Sequence, residues 1–235
     1  MTLHRLEETR STNLEARAGR PGEVWTAEYQ SAGRGRLDHR WTSPKGENLM
    51  FSAVLDASGR PPEEIATLPL VTGLAVLKAL GNFVPVPLAL KWPNDVLADG
   101  RKLCGILCEL CGQNVIAGVG INVNETAFPA ALRDRATSLA LLKGAPLDRE
   151  KVLAAVLESV FALTDRWRRE GFAALHPEFA ACDALKGRSV AVLRTDADAH
   201  PLSGLCGGIA PDGSLLVAGE RVYAGEAHVV AAGAV

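Results

Sequence analysis

Between Gln30 and Trp41 the chain reads Gln-Ser-Ala-Gly-Arg-Gly-Arg-Leu-Asp-His-Arg-Trp, which places Arg34, Arg36, His39 and Arg40 within seven positions and spaces the first two with Gly33 and Gly35. Arginine's planar fork meets phosphate and carboxylate oxygens two at a time, and glycine lets the backbone come close to a ligand. A mobile loop of this kind can wrap an anion and close after it enters. Taken alone, the same string is also what a solvated basic loop looks like.

No Gly-x-x-x-x-Gly-Lys-Ser/Thr string occurs, so a triphosphate would need cations from elsewhere. Lys91 and Lys102 qualify, since each falls at the edge of an expected strand that would hold it firmly. Lys91-Trp92-Pro93-Asn94-Asp95 is more pointed. Pro93 keeps Trp92 out of helical geometry and presets a turn, which presents an ammonium before it and Asn94 and Asp95 after it.

Gly118-Val119-Gly120-Ile121-Asn122-Val123-Asn124 alternates strictly. On a strand its valines and isoleucine would share one face, to pack on helices, while the glycines and asparagines share the other. That second face has room for a flat ligand, and Asn122 can match a donor–acceptor edge such as adenine's. Cys104, Cys108 and Cys111 have the C-x3-C-x2-C spacing of some iron–sulfur sites. On a strand Cys104 and Cys108 would stand roughly 13 Å apart, too far to share a cluster, so none is expected. The same alternation would put Cys104 on the face of Lys102, where a thiol could accept an acyl group.

These residues need a scaffold, and the hydrophobic period interleaves strand-like with helix-like segments, as in a mixed α/β or α+β domain. Thr12 to Glu15 has the form of a capping box opening a short helix. Strands are expected at 24–29, 48–55, 88–91, 95–98, 102–110 and 115–123, with a long exposed loop at 30–47. The main core helix spans 62–80, with Pro69 as a kink, and a second runs from 147 to 169, followed by a shorter one within 171–181. Beyond Lys186-Gly187 the texture changes to short β runs at 189–193, 202–210, 214–217, 220–223 and 227–230, so residues 1–185 read as one domain and 186–235 as a small SH3-like barrel.

Composition narrows the classes. The chain has 235 residues, 48% hydrophobic and 22% charged, which suits a folded protein of two domains at most. A net charge of −2 with interspersed signs leaves no basic face for a nucleic-acid backbone. The charged N-terminus lacks a signal-peptide core, no apolar run reaches membrane-spanning length, and five cysteines make a disulfide framework a poor fit, so a cytoplasmic protein is expected.

Taken in order, Ser11-Thr12-Asn13, Gln30, Gly33 to Arg36 with Trp41, Lys91 to Asp95, Lys102-Leu103-Cys104-Gly105-Ile106-Leu107 and Gly118 to Asn124 resemble the motif set of the biotin protein ligases. The tail joins in through Gly207-Gly208-Ile209, Asp212 to Leu216 and Gly225-Glu226, so the resemblance covers about Leu6 to Val230. It implies a class II synthetase-like mixed-sheet catalytic domain flanked by helices, with an SH3-like barrel. It also implies a two-step reaction, in which biotin and ATP give biotinyl-5′-AMP and pyrophosphate and a lysine of a biotin carboxyl carrier domain then takes the acyl group.

By that resemblance Ser11, Thr12, Asn13 and Gln30 would bind the biotin head. Arg34, Gly35 and Arg36 would cover the acyl phosphate, Lys102 would contact the biotin carboxyl end, Asn122 would face adenine, and Trp41 and Asn94 would belong to the nucleotide site. Cations must separate the two anions that react, so Arg34, Arg36, Lys91, Lys102 and Mg²⁺ are expected around them. Asp95 has three roles open: orienting Lys91, helping to hold Mg²⁺, or assisting deprotonation of the acceptor lysine. A carboxylate is a weak base for an amine, which favours orientation.

Two departures stand out. The family loop commonly continues Arg-Gly-Arg before its Trp, whereas here Leu37-Asp38-His39-Arg40 stands, so a loop cation becomes a histidine and a glycine an aspartate. The first motif also begins at Ser11, leaving no room for a helix-turn-helix, so no DNA binding is expected; a homodimer is among the assemblies allowed. The rival readings are a lipoate ligase or octanoyl transferase of the same fold, and a non-catalytic biotinyl-adenylate sensor.

Overall fold

The computed structural model describes residues 1–37, 39–194 and 201–230. Its larger sheet has seven strands: β1 (Thr2–Thr9), β2 (Glu23–Gln30), β3 (Leu49–Asp56), β4 (Leu88–Lys91), β5 (Asp95–Ala98), β6 (Arg101–Cys111) and β7 (Asn114–Ile121). Their order is β1-β2-β3-β7-β6-β5-β4, parallel at β1–β2 and antiparallel elsewhere, so the sheet is mixed. A second, five-stranded antiparallel sheet takes the order β11-β10-β9-β8-β12. It is built from β8 (Ser189–Arg194), β9 (Leu202–Ile209), β10 (Leu215–Val217), β11 (Glu220–Val222) and β12 (Gly225–Val229). This is an α+β fold with the small C-terminal β unit that the sequence suggests; residues 195–200 and 231–235 lie outside the described residues.

Helices cover the large sheet on both faces. On one face α3 (Leu68–Leu80) and α5 (Arg149–Glu170) pack together, α3 onto β4, β5, β6 and β7 and α5 onto β3, in a buried core that includes Leu74, Leu157, Val160, Ile106, Val119 and Ile121. Burying each such side chain stabilises the fold by about 1.5–3 kcal/mol. Trp167 of α5 is fully buried and donates from Nε1 to Thr67 Oγ1 at 3.1 Å. On the opposite face, among the described residues, α1 (Thr12–Ala16) sits on β2, β3 and β7 and leaves much of the sheet open. That open face is where a ligand can reach the sheet.

Several expectations need correction. Residues 62–80 form two helices, α2 (Pro62–Ile65) and α3, because Pro69 sits in the first turn of α3, where its missing N–H costs nothing, so it starts a helix instead of kinking one. Residues Thr12 to Glu15 make no capping box: Ser11 is the N-cap and no side chain caps the helix, Glu15 instead accepting from Thr9 Oγ1 at 2.6 Å. The N-terminal strand β1 and the short helix α4 (Leu139–Lys143) were not anticipated, and the helix in 171–181 is a single turn and a half, α6 (His176–Ala180).

One irregularity in β6 decides which residues meet. Val96 pairs with Cys104 but its neighbour Leu97 pairs with Lys102, so Leu103 is an extra residue in β6 and the alternation shifts by one across it. Cys104, Ile106 and Cys108 therefore turn to the helical core, while Gly105, Leu107 and Glu109 turn to the open face with Lys102. Cys104 does not share the face of Lys102; it is fully buried, and burial pushes its thiol far above the usual range. Cys108 is likewise pushed up, to about 12, which removes both as nucleophiles.

Candidate active site

A cavity of about 900 Å³ opens on the α1 face, and every residue to which the family resemblance gives a biotin, phosphate or nucleotide role lines it. Its floor is the even-numbered face of β7. A Cβ added at Gly118 would lie 2.1 Å from Asn13 Oδ1, and one at Gly120 2.4 Å from the Trp41 ring, so glycine is required at both by close approach. The space expected above these glycines is thus filled in this structure by Asn13 and by the Trp41 indole. Along the floor Asn13, Trp41 and Asn122 succeed one another two residues apart, or roughly 7 Å at each step.

At the first end Ser11, Thr12 and Asn13 open α1, all buried. Gln30 Oε1 accepts from Thr12 N at 2.7 Å and lies 3.2 Å from Thr12 Oγ1. Ser52, which sequence reasoning missed, lies 2.7 Å from Thr12 Oγ1 and 2.6 Å from Asn13 Oδ1. It sits in the middle of β3 with no motif around it, so only the strand's parity could have pointed to it. Asn13 Nδ2 donates to Glu109 Oε2 at 2.6 Å.

In the middle Lys102 reaches across Gly105, where an added Cβ would lie 3.1 Å from its Nζ, and pairs with Asp95 Oδ1 at 2.7 Å. The Trp41 ring centroid is 5.9 Å from that ammonium. The partner of Asp95 is Lys102 and not Lys91, whose ammonium feels Asp95 only through space. Burial holds Lys91 below the usual lysine range, with Asp95 and Glu226 opposing the shift. Asn94 ties the β4–β5 turn to β6, its Nδ2 donating to Ile106 O at 2.8 Å. At the far end Asn122 Nδ2 donates to Thr137 O at 3.0 Å, while Asn124 turns away to Leu147.

The arginine loop is a tight hairpin. Trp41 N donates to Gly33 O at 3.0 Å, Gly35 N to His39 O at 2.7 Å, and Arg34 bridges Arg40. A Cβ at Gly33 would come within 2.4 Å of Trp41 O, so this glycine too is fixed by approach. Arg34 and Arg36 point to different places. Arg34 lies 3.5 Å from Glu109, toward Asn13, whereas Arg36 donates to Gly225 O of β12 at 3.1 Å. Burial lowers the Arg36 pKa, against the pull of Glu226 and Asp95. Of the departing stretch, Asp38 lies outside the described residues; His39 stands 3.7 Å from Glu226, an ion pair when the imidazole is protonated. The C-terminal unit thus enters the site through Glu226 and His228, which also line the cavity.

Residues 4–124 match the family model described as "Biotin/lipoate A/B protein ligase family", half of the chain. A biotin–[acetyl-CoA-carboxylase] ligase of Paracoccus denitrificans is 34% identical over 232 residues, covering 91% of this chain and 93% of that protein. The chain belongs to this ligase family. One of Mycobacterium tuberculosis is 37% identical over 183 residues, 74% of this chain and 66% of its own length, and the chain spans 44% of other curated relatives. Among solved structures, a biotin protein ligase from Aquifex aeolicus in complex with biotin and ATP superposes with a TM-score of 0.86 at 31% identity, over 97% of this chain and 98% of that one. The ligase-family chain has, among its described residues, no helix long and apolar enough to cross a membrane, and all five cysteines are free.

Proposed function

We propose that this chain is an ATP-dependent biotin–protein ligase of the cytosol, which forms biotinyl-5′-AMP and passes the biotinyl group to a lysine of a biotin carboxyl carrier domain. The observation that carries this is one continuous cavity. It runs from a buried hydrogen-bonding end at Thr12, Asn13 and Gln30, past the Lys102–Asp95 pair, to Asn122, and it does so in a chain whose family includes biotin ligases. A polar head, an apolar valeryl tail over Trp41 and a carboxylate at Lys102 fit that succession.

In the first step the biotin carboxylate oxygen attacks the α-phosphorus of ATP, the bond to the β-phosphate oxygen breaks, and pyrophosphate leaves. Lys102 neutralises the attacking carboxylate and is itself steadied by Asp95. Lys91 and Arg36 add positive charge from the turn and the loop. Arg34 reaches the acyl phosphate only by leaving Glu109, so loop closure and ligand binding are coupled. In the second step the acceptor amine attacks the acyl carbon, AMP departs with the electrons of the bond between the acyl carbon and the phosphate oxygen, and the amine's proton passes to water. Asn122, Asn94 and Trp41 form the nucleotide side of the cavity, with Ser11, Thr12, Asn13 and Gln30 around the biotin head.

Among the described residues no three metal-ligating side chains gather, so a resident ion has no cage. Mg²⁺ that arrives with ATP needs only one or two carboxylates beside the phosphates, and Asp95, beside Lys102 in the cavity, would be one; bound there, it would offset phosphate charge. Residues 1–185 act as the catalytic domain and 186–235 as the barrel that backs the loop.

Biotin-dependent exchange of pyrophosphate into ATP tests the reading, repeated with lipoate and followed by transfer of labelled biotin to a carrier domain. Exchange and transfer with biotin are expected. Exchange with lipoate alone would make this a lipoate ligase, and exchange without transfer a sensor.

A further inference from the structure

The Glu109 carboxylate lies behind the cavity wall, yet it ends a hydrogen-bonded chain that runs through the pocket: Gln30, Thr12, Ser52, Asn13, Glu109. We propose that Glu109 is a positioning residue which, through Asn13, sets the direction of every proton in this chain and so makes the pocket an acceptor for ureido N–H groups. The inference rests on the assignment of this end to the biotin head.

An ionised carboxylate only accepts. With Glu109 Oε2 at 2.6 Å and Leu107 O at 3.4 Å, the Asn13 amide must turn its NH₂ toward β6 and its Oδ1 toward Ser52. Ser52 lies 2.6 Å from that Oδ1, and two oxygens so close need a proton between them, which only Ser52 can supply. The Ser52 hydroxyl has a single proton, so it cannot also donate to Thr12, 2.7 Å away. Thr12 must then donate to Ser52. Gln30 Oε1 stays satisfied by the Thr12 backbone N–H at 2.7 Å, the shorter of its two contacts.

The result is a cavity edge on which Thr12 Oγ1 and Asn13 Oδ1 present lone pairs and Gln30 Nε2 presents N–H groups. A cyclic urea, with two N–H donors beside one carbonyl, is the complement of that edge. Were the amide of Asn13 reversed, Ser52 would accept from it and the order of protons along the chain would turn round. Glu109 also holds Arg17 at 3.3 Å and Arg34 at 3.5 Å, but both arginines are half-exposed and those pairs are weak.

The test compares the intact protein with Glu109→Gln, Asn13→Ala and the double variant, reading biotin KM, ATP KM and kcat in the exchange assay. In Glu109→Gln the new side-chain amide can meet Asn13 in either orientation, so the chain loses its direction. The biotin KM should rise about ten-fold, worth about 1.4 kcal/mol, with the ATP KM unchanged. In the Asn13→Ala background the same substitution should add nothing, and Glu109→Asp, which keeps the charge, should recover most of the loss. An unchanged biotin KM in Glu109→Gln would overturn the proposal, as would a full second loss in the double variant, which would place the effect in Arg34. If Asn13→Ala and Thr12→Val leave the biotin KM unchanged, the assignment of the head pocket itself is what fails.

Discussion

The guanidinium of Arg36 donates to the carbonyl of Gly225 at 3.1 Å, across 189 positions of sequence. The loop that covers the cavity is therefore fastened to the first residue of β12, and not only to its own hairpin. A second fastening joins the same two units beneath the site, where Trp92 Nε1 donates to Gly213 O at 3.1 Å.

Arg36→Ala should make the loop leaky. It removes a hydrogen bond from a charged donor, worth about 1.5–3 kcal/mol, and a cation that lines the cavity. Retention of labelled biotinyl-adenylate after gel filtration should fall about ten-fold or more in half-life. Retention equal to the parent would remove this loop from the mechanism.

Asp95→Asn should leave the fold intact and slow adenylation. Lys102 would keep a neutral neighbour but lose the charge that steadies its ammonium 2.7 Å away. A misplaced cation at the developing charge costs about 100-fold, so kcat for exchange should fall by that order while the biotin KM changes little. A loss confined to KM would mean that Lys102 only binds.

Most strands were legible because they carry ordinary alternation; β4 and β5 fall at the residues the pattern indicates. The exceptions have physical causes. Strand β1 reads Thr-Leu-His-Arg-Leu-Glu-Glu-Thr and lies at a sheet edge, where one partner and a solvated face allow polar residues that no period betrays. In β6 the bulge at Leu103 reverses which residues turn to the open face, so counting from Lys102 in twos selects Cys104 and misses Gly105 and Glu109. A pair of adjacent apolar residues, Leu103-Cys104, both fully buried, is the trace such a bulge leaves. The cavity was legible as a set of motifs, but the entry of Glu226 and His228 was not, because it depends on how two sheets sit together.

Gly120→Ala should unseat Trp41. The new methyl would lie 2.4 to 2.8 Å from three atoms of the indole, and the strand, bonded on both sides, cannot yield. Overpacking of this kind costs about 1–3 kcal/mol. The loop should then be cut faster by trypsin at Arg34, Arg36 and Arg40, with the biotin KM raised. An unchanged cleavage rate would show that the indole seat does not order the loop.

Burial makes the Lys91 ammonium a cost to stability, and pH should reveal it. Burial lowers its pKa in the fold below the reference value of 10.5, so between the folded and unfolded values the unfolded chain binds more protons. Stability from this group therefore rises with pH through that window; at and below neutral pH the buried ammonium is a standing penalty, gone once pH passes 10.5. Lys91→Met, which keeps the volume and drops the charge, should raise the melting temperature at pH 7 and show a gain that shrinks as the pH climbs through the window. The same variant should raise the ATP KM, since the turn loses its cation. A melting temperature lowered at pH 7 would mean that Asp95 and Glu226 more than offset the burial of the ammonium, and that Lys91 stabilises the site it serves.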